Sequence, residues 1–168
     1  MSLKTMQILY NEGAEMLKRI AFTLLFCCLA VSAFAKDFGE FSVELPGGWE
    51  VMNEVNQQGM VLAVMASEKD EAMLVVTVSP TTGQTAEELS DMTMEALKGQ
   101  GAELKITTKE KNKVVYEGSQ NGATAYVVFS TDPGNKQMAT VTMAAAKIDV
   151  VKKVAKTMKF KNSKLSAL

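Results

Sequence analysis

The chain has 168 residues, 18 basic and 19 acidic, with no histidine and two cysteines, Cys27 and Cys28. The lack of histidine excludes Ser-His-Asp triads, and with only two cysteines in the chain it also excludes the usual zinc sites. Both cysteines lie inside an apolar export signal, so the remaining chain has no thiol nucleophile and no disulfide. Charge is divided along the sequence: residues 36–95 carry 12 acids against 2 lysines, and residues 96–168 carry 13 lysines against 5 acids.

Residues 16–38 read MLKRIAFTLLFCCLAVSAFAKDF. Lys18 and Arg19 form a positive n-region, and Ile20 to Val31 form an apolar run. Ala33-Phe34-Ala35 then supplies the small residues at −3 and −1 that a signal peptidase requires. The run falls short of the roughly 20 residues of a transmembrane helix. Cleavage between Ala35 and Lys36, giving a periplasmic or secreted product, is therefore expected for residues 16–35. Phe26 before Cys27 is too bulky for lipoprotein processing. Residues 1–15 match neither a signal nor a domain. Glu12-Gly13-Ala14 can be encoded GAA-GGA-GCN, a bacterial ribosome-binding sequence just ahead of the Met16 codon, so residues 1–15 read as an upstream extension of the true frame.

Cleavage leaves 133 residues, enough for one domain, here residues 36–160. Phe41, Val43 and Leu45 alternate with polar residues, as in a half-buried strand. Pro46-Gly47-Gly48 turns the chain into a second strand at 49–54. Residues 60–66 (MVLAVMA) and 72–78 (AMLVVTV) are continuous apolar runs, which predict strands covered on both faces. Thr85-Ala86-Glu87-Glu88 is a capping box. It opens a helix to about Gly99 with Leu89, Met92, Ala96 and Leu97 as its apolar stripe. Further strands are expected at 103–109, 114–119, 124–131 and 137–145, with Asn121-Gly122 as a hairpin turn. A second helix spans about 149–158, and 161–168 read as a flexible tail. The class is α+β: a mainly antiparallel sheet of about seven or eight strands covered by helices.

The opening FSVELPGGWEV, the two apolar strands, the helix TAEELSDMTMEALKGQG and the closing helix that runs into MKF resemble the PsbP-like/DcrB-like group of small secreted proteins. The resemblance spans residues 38–160. It implies an α-β-α sandwich and a non-catalytic role in binding or assisting larger protein or membrane assemblies. It carries no catalytic residues.

Several residues are candidate sites. Trp49 is either an exposed aromatic anchor or a core tryptophan, and the core reading is the stronger because large aromatics dominate cores. Lys152, Lys153, Lys156 and Lys159, flanked by Lys147, Lys161 and Lys164, form a basic face. Such a face suits an acidic partner or an anionic membrane surface, against the plainer reading of a solvated helix side. Methionines such as Met60, Met65 and Met73 suggest core filling more than copper ligation. Glu68, Asp70 and Glu71 are too few and too close for a calcium loop. Every positive charge after residue 19 is a lysine, a hydrated point charge less suited than arginine to phosphate recognition, which together with export weighs against nucleic acid.

The expected function is that of an exported, non-enzymatic binding or accessory protein with no cofactor and no metal. Its partner would be an envelope protein or an anionic membrane surface. The alternative is a small hydrophobic-ligand binder with a pocket between sheet and helices. N-terminal sequencing of the exported protein is expected to begin Lys36-Asp37-Phe38. A product that keeps Phe34 would contradict the cleavage site.

Overall fold

A computed structural model describes residues 34–168 except Gln100 and Asn121. The signal segment up to Ala33 and residues 1–15 lie outside the described residues. In chain order the elements are β1 (Phe34–Asp37), β2 (Phe41–Leu45), β3 (Glu50–Gln57), β4 (Met60–Ser67), β5 (Ala72–Pro80), α1 (Ala86–Gly99), β6 (Ala102–Glu110), β7 (Lys113–Gln120), β8 (Ala123–Asp132), β9 (Gln137–Ala145), α2 (Ile148–Ala155) and β10 (Lys159–Phe160). The class is α+β.

Seven strands form one antiparallel sheet in the order β3-β4-β5-β9-β8-β7-β6, and β1-β2-β10 form a second, smaller sheet. The opening strand therefore leaves the main sheet, where it was expected, and pairs with β1 and β10. After cleavage at the expected position, Lys36 and Asp37 would keep their places opposite Val43 and Ser42.

Tight turns set the hairpin registers. Gln57 pairs with Met60, and the two residues between them, Gln58 and Gly59, have φ of 51° and 79°, the doubly left-handed turn that matches strand twist. Gln120 pairs with Ala123, so that loop also has two residues, and Gly122 takes φ 84°; Asn121 lies outside the described residues. Gly118 on β7 has no room for a side chain, because a Cβ there would collide with the Glu103 carbonyl of β6.

The capping box forms as expected. Thr85 Oγ1 accepts from the Glu88 N–H at 3.2 Å, and the Thr85 N–H donates to Glu88 Oε2 at 2.9 Å. The inward line of α1, however, is Ala86, Ser90 and Met94 with Leu97 beside it. Of the expected stripe, Leu89 is only half-buried, Met92 is exposed, and the Ala96 side chain lies outside the described residues. The sheet makes this possible by supplying a partner for a buried hydroxyl: Tyr116 Oη donates to Ser90 Oγ at 3.2 Å, and Ser90 Oγ donates to the Glu87 carbonyl at 2.8 Å.

Cross-strand neighbours share a face, so the register defines two sides of the main sheet. On one side stand Val61, Ala63 and Met65 of β4, Leu74 and Val76 of β5, Val141 and Met143 of β9, Val128 of β8 and Val115 of β7. Onto this side pack Val151, Val154 and Ala155 of α2 and Phe41, Val43 and Leu45 of β2. Phe38 stacks on Phe41 at 4.8 Å between ring centroids. The other side carries Val127 and Phe129 of β8, Val114 and Tyr116 of β7 and Leu104 of β6, and these pack against α1. The two helices thus lie on opposite faces of the sheet and over different strands.

Residues 161–168 are not the flexible tail expected. Leu165 and Ala167 are buried, and the Ser166 N–H donates to Ser130 Oγ at 3.0 Å. Lys113 Nζ donates to the Leu168 backbone oxygen at 2.9 Å. The polar residues that looked solvated in sequence are held by the buried carboxylate of Asp132. It accepts from Asn162 Nδ2 at 3.1 Å, Asn135 Nδ2 at 2.6 Å and Lys164 Nζ at 3.3 Å.

Burial alone would push the Asp132 carboxyl up, but the hydrogen bonds from Asn162, Lys164 and Asn135 outweigh it and hold the group below its ordinary 3.8. A carboxyl depressed in the folded state contributes stability above its unfolded pKa and loses it as pH falls through the lower folded value. Asp132→Asn is therefore expected to lower the thermal midpoint at neutral pH and to differ less from wild type below pH 3.8. A difference that does not change with pH in circular-dichroism melts would contradict this. Gly118→Ala is expected to cost about 1–3 kcal/mol by overpacking, read by denaturant unfolding.

Candidate functional site

Among the described residues, the two apolar strands receive no second layer of the kind their sequence predicts. In β4 and β5 burial alternates strictly: Val61, Ala63, Met65, Leu74, Val76 and Val78 are buried, whereas Leu62, Val64, Ala66, Val75 and Thr77 are half-buried and Met60 and Met73 are exposed. The register places the second group on one face, with Val64 opposite Val75, Val75 opposite Thr142, and Thr142 opposite Val127 beneath α1. That face is therefore continuous with the floor on which α1 sits. α1 packs over β6, β7 and β8, and α2 lies on the reverse side. Over β3, β4, β5 and β9 this face has no helix among the described residues.

The open half-face is apolar and uncharged across its middle. Leu62, Val64, Ala66 and Val75 lie beside Thr77, Thr140 and Thr142. Full burial of a valine or leucine provides about 1.5–3 kcal/mol, part of which these side chains forgo. Contiguous exposed apolar surface of this kind marks interaction sites on soluble proteins. Methionine is concentrated here: Met60, Met73 and Met138 lie on this face by register. Met52, 64% exposed at the β3 bulge, joins them beside Glu50 and Ala66. Their flexible side chains adapt to irregular partners. Charge at its margin is mixed: Glu50, Glu68 and Lys69 share the corner hollow with Met52 and Ala66, whereas Asp91 and Glu95 of α1 lie with Lys98 on the β6 side.

The expected site residues fall elsewhere. Trp49 is 4% exposed and belongs to the main core; it is not a surface anchor. Lys152 is tied down: its Nζ lies 3.2 Å from Glu117 Oε1 and 4.1 Å from the centroid of the Tyr126 ring, so it braces α2 against β7 and β8. Lys153, Lys156 and Lys159 are exposed, on the side of the sheet away from the open half-face. Asp70 Oδ2 accepts from Ser67 Oγ at 2.9 Å, closing the acidic turn on itself. Among the described residues no three metal-ligating side chains converge.

The surface hollows are open and rimmed by charge. One lies between α2 and the tail, where Lys156 and Lys159 join Met158, Phe160 and Leu165. Another lies between α1 and β6–β7, where Asp91, Glu95 and Lys98 join Met94, Leu104 and Tyr116. Neither encloses its contents as a small-ligand site does.

No protein-family profile matches the chain, and no curated protein matches it in sequence. Among solved structures it is similar to a mutant of the protein Mog1, at a TM-score of 0.48 and 10% identity over 77% of this chain and 95% of that one. It is also similar to the Saccharomyces cerevisiae Ran-binding protein Mog1p, at a TM-score of 0.47 and 11% identity over 77% of this chain and 96% of that one. A third likeness is to a Bacteroides thetaiotaomicron VPI-5482 protein, at a TM-score of 0.44 and 9% identity over 79% of this chain and 49% of that one. All three scores fall below 0.5, and neither family nor function is carried from them to this chain.

The two sides of β4 and β5 should respond differently to one substitution. Leu74→Ala, on the buried side, is expected to cost about 2–5 kcal/mol. Leu62→Ala, on the open side, is expected to cost under about 1 kcal/mol. Equal losses in denaturant unfolding would show that the open side is covered.

Proposed function

We propose that the protein is an exported, non-enzymatic accessory protein that holds another protein against the open half of its sheet. The observation that carries this reading is the uncharged apolar surface of β4 and β5, continuous with the floor of α1 and bare of any described helix. Export rests on the signal at residues 16–35 and its cleavage site before Lys36. The non-enzymatic reading rests on the chemistry left after export: lysines, carboxylates and hydroxyls in no recognisable catalytic spacing. The PsbP-like/DcrB-like resemblance of residues 38–160 implies the same kind of role.

A second reading concerns the opposite side. Lys153, Lys156 and Lys159, with Lys147 and Lys161 also exposed, suit an anionic surface such as lipid headgroups of the envelope. In this reading the lysines steer the protein and the open half-face holds the partner; attraction of this kind weakens as salt screens it.

Photocrosslinking in living cells separates the two. A crosslinking residue in place of Val64 or Val75 is expected to trap one reproducible protein partner, and one in place of Lys111 is not. Adducts formed only from Lys153 or Lys156 would move the docking role to α2 and overturn the proposal.

A further inference from the structure

We propose that Met52, Met60, Met73 and Met92 are reversible oxidation sites, which make the polarity of the open half-face respond to peroxide. This depends on the exposure of four thioethers and not on what the face binds.

The make-up of the exposed apolar surface comes first. Six large apolar side chains are exposed among the described residues: Phe34, Ile106 and these four methionines. Phe34 belongs to the expected signal. Leucine has nearly the same volume and apolar character as methionine; only methionine adds an oxidisable sulfur. Cys27 and Cys28 both precede the expected cleavage. Every sulfur of the exported protein is then a thioether, and no thiol competes for the oxidant.

Position separates two groups of methionine. Met65 and Met143 lie in the main core, and Met94 is buried between α1 and the sheet. Burial alternates along β4 and β5, which puts Met60 at one end of the open half-face and Met73 at the other. Ala66 pairs with Met73 and shares a hollow with Met52, so Met52 stands at the Met73 end. These ends bracket Leu62, Val64 and Val75. Met92 of α1 is 71% exposed.

The chemistry needs only hydrogen peroxide. The sulfur lone pair attacks one peroxide oxygen, the O–O bond breaks, and the hydroxide released takes that oxygen's proton to leave as water. Sulfur gives up two electrons and the peroxide gains them. Methionine sulfoxide reductases reverse the step: the oxygen leaves as water while two thiols of the reductant form a disulfide. A sulfoxide is polar. In the core it would strand a polar group among apolar ones, which is costly, whereas at an exposed site water solvates it. The fold therefore tolerates oxidation at these four positions, and both ends of the open half-face turn from apolar to polar.

The test treats the exported protein with hydrogen peroxide and maps the added oxygens by peptide mass spectrometry. Met52, Met60, Met73 and Met92 are expected to take up oxygen first, with the half-buried Met138 and Met158 slower. Met65, Met94 and Met143 react only through opening of the fold and should be slower by about tenfold or more. Protein oxidised at the four sites is expected to keep its circular-dichroism melt and to elute earlier from a hydrophobic-interaction column. Methionine sulfoxide reductases should restore its original retention. Met52→Leu, Met60→Leu, Met73→Leu and Met92→Leu together should abolish the fast uptake and the retention shift. Buried methionines that oxidise as fast as exposed ones, loss of the fold on oxidation of the four, or unchanged retention would overturn the proposal. So would fast uptake that survives in the leucine variant; should that variant fold poorly, the oxidation map of the wild type decides alone.

Discussion

A β-strand sends every second side chain to each side of its sheet, so seven paired strands need cover on two faces. This chain covers the two faces unequally. One face is closed by α2, the β1-β2-β10 sheet and the returning C-terminal residues. Among the described residues the other is closed only where α1 lies, over β6, β7 and β8. The core, the hollows and the exposed methionines all follow from that stagger. Leu74 and Leu62 sit on neighbouring strands with the same chemistry, and only the layer above them differs.

The stagger also sorts charge. α2 turns its valines to the sheet and leaves Lys153 and Lys156 outside, while α1 carries Glu88, Asp91 and Glu95 on the opposite side of the molecule. Among the described residues one ion pair crosses between the halves, Lys109 with Glu87, while Lys152 with Glu117 lies within the basic half. The acidic and basic halves of the sequence therefore remain largely unneutralised at the surface, at distances where salt attenuates their attraction.

Much of the fold was legible in the sequence because its signals are local. The capping box at Thr85–Glu88, the Asn121-Gly122 hairpin and the valine stripe of α2 each depend on residues within one turn. The Gln58-Gly59 turn was missed, since glutamine is an unusual residue at positive φ. The tail was misread because Asn162 and Lys164 look solvated until Asp132, thirty residues earlier, is brought beneath them. The stripe of α1 was displaced by one line of residues because Tyr116 supplies a partner for Ser90, and no helical periodicity reveals that. The site was half legible. The unbroken runs MVLAVMA and AMLVVTV correctly signalled apolar residues on both sides of two strands, but only the fold shows that one side has no layer among the described residues. Trp49 and the lysines were conspicuous as types, whereas an open face made of valine, leucine and threonine is conspicuous only by position.

The central claim is that one half of one face is bare in the isolated protein. The direct measurement is solution NMR of methyl-labelled methionine with a soluble paramagnetic probe. Met52, Met60, Met73 and Met92, the exposed methionines, should broaden strongly, while the buried Met65, Met94 and Met143 should not. If Met60 and Met73 are protected as well as Met65, the face is already covered and the account is wrong.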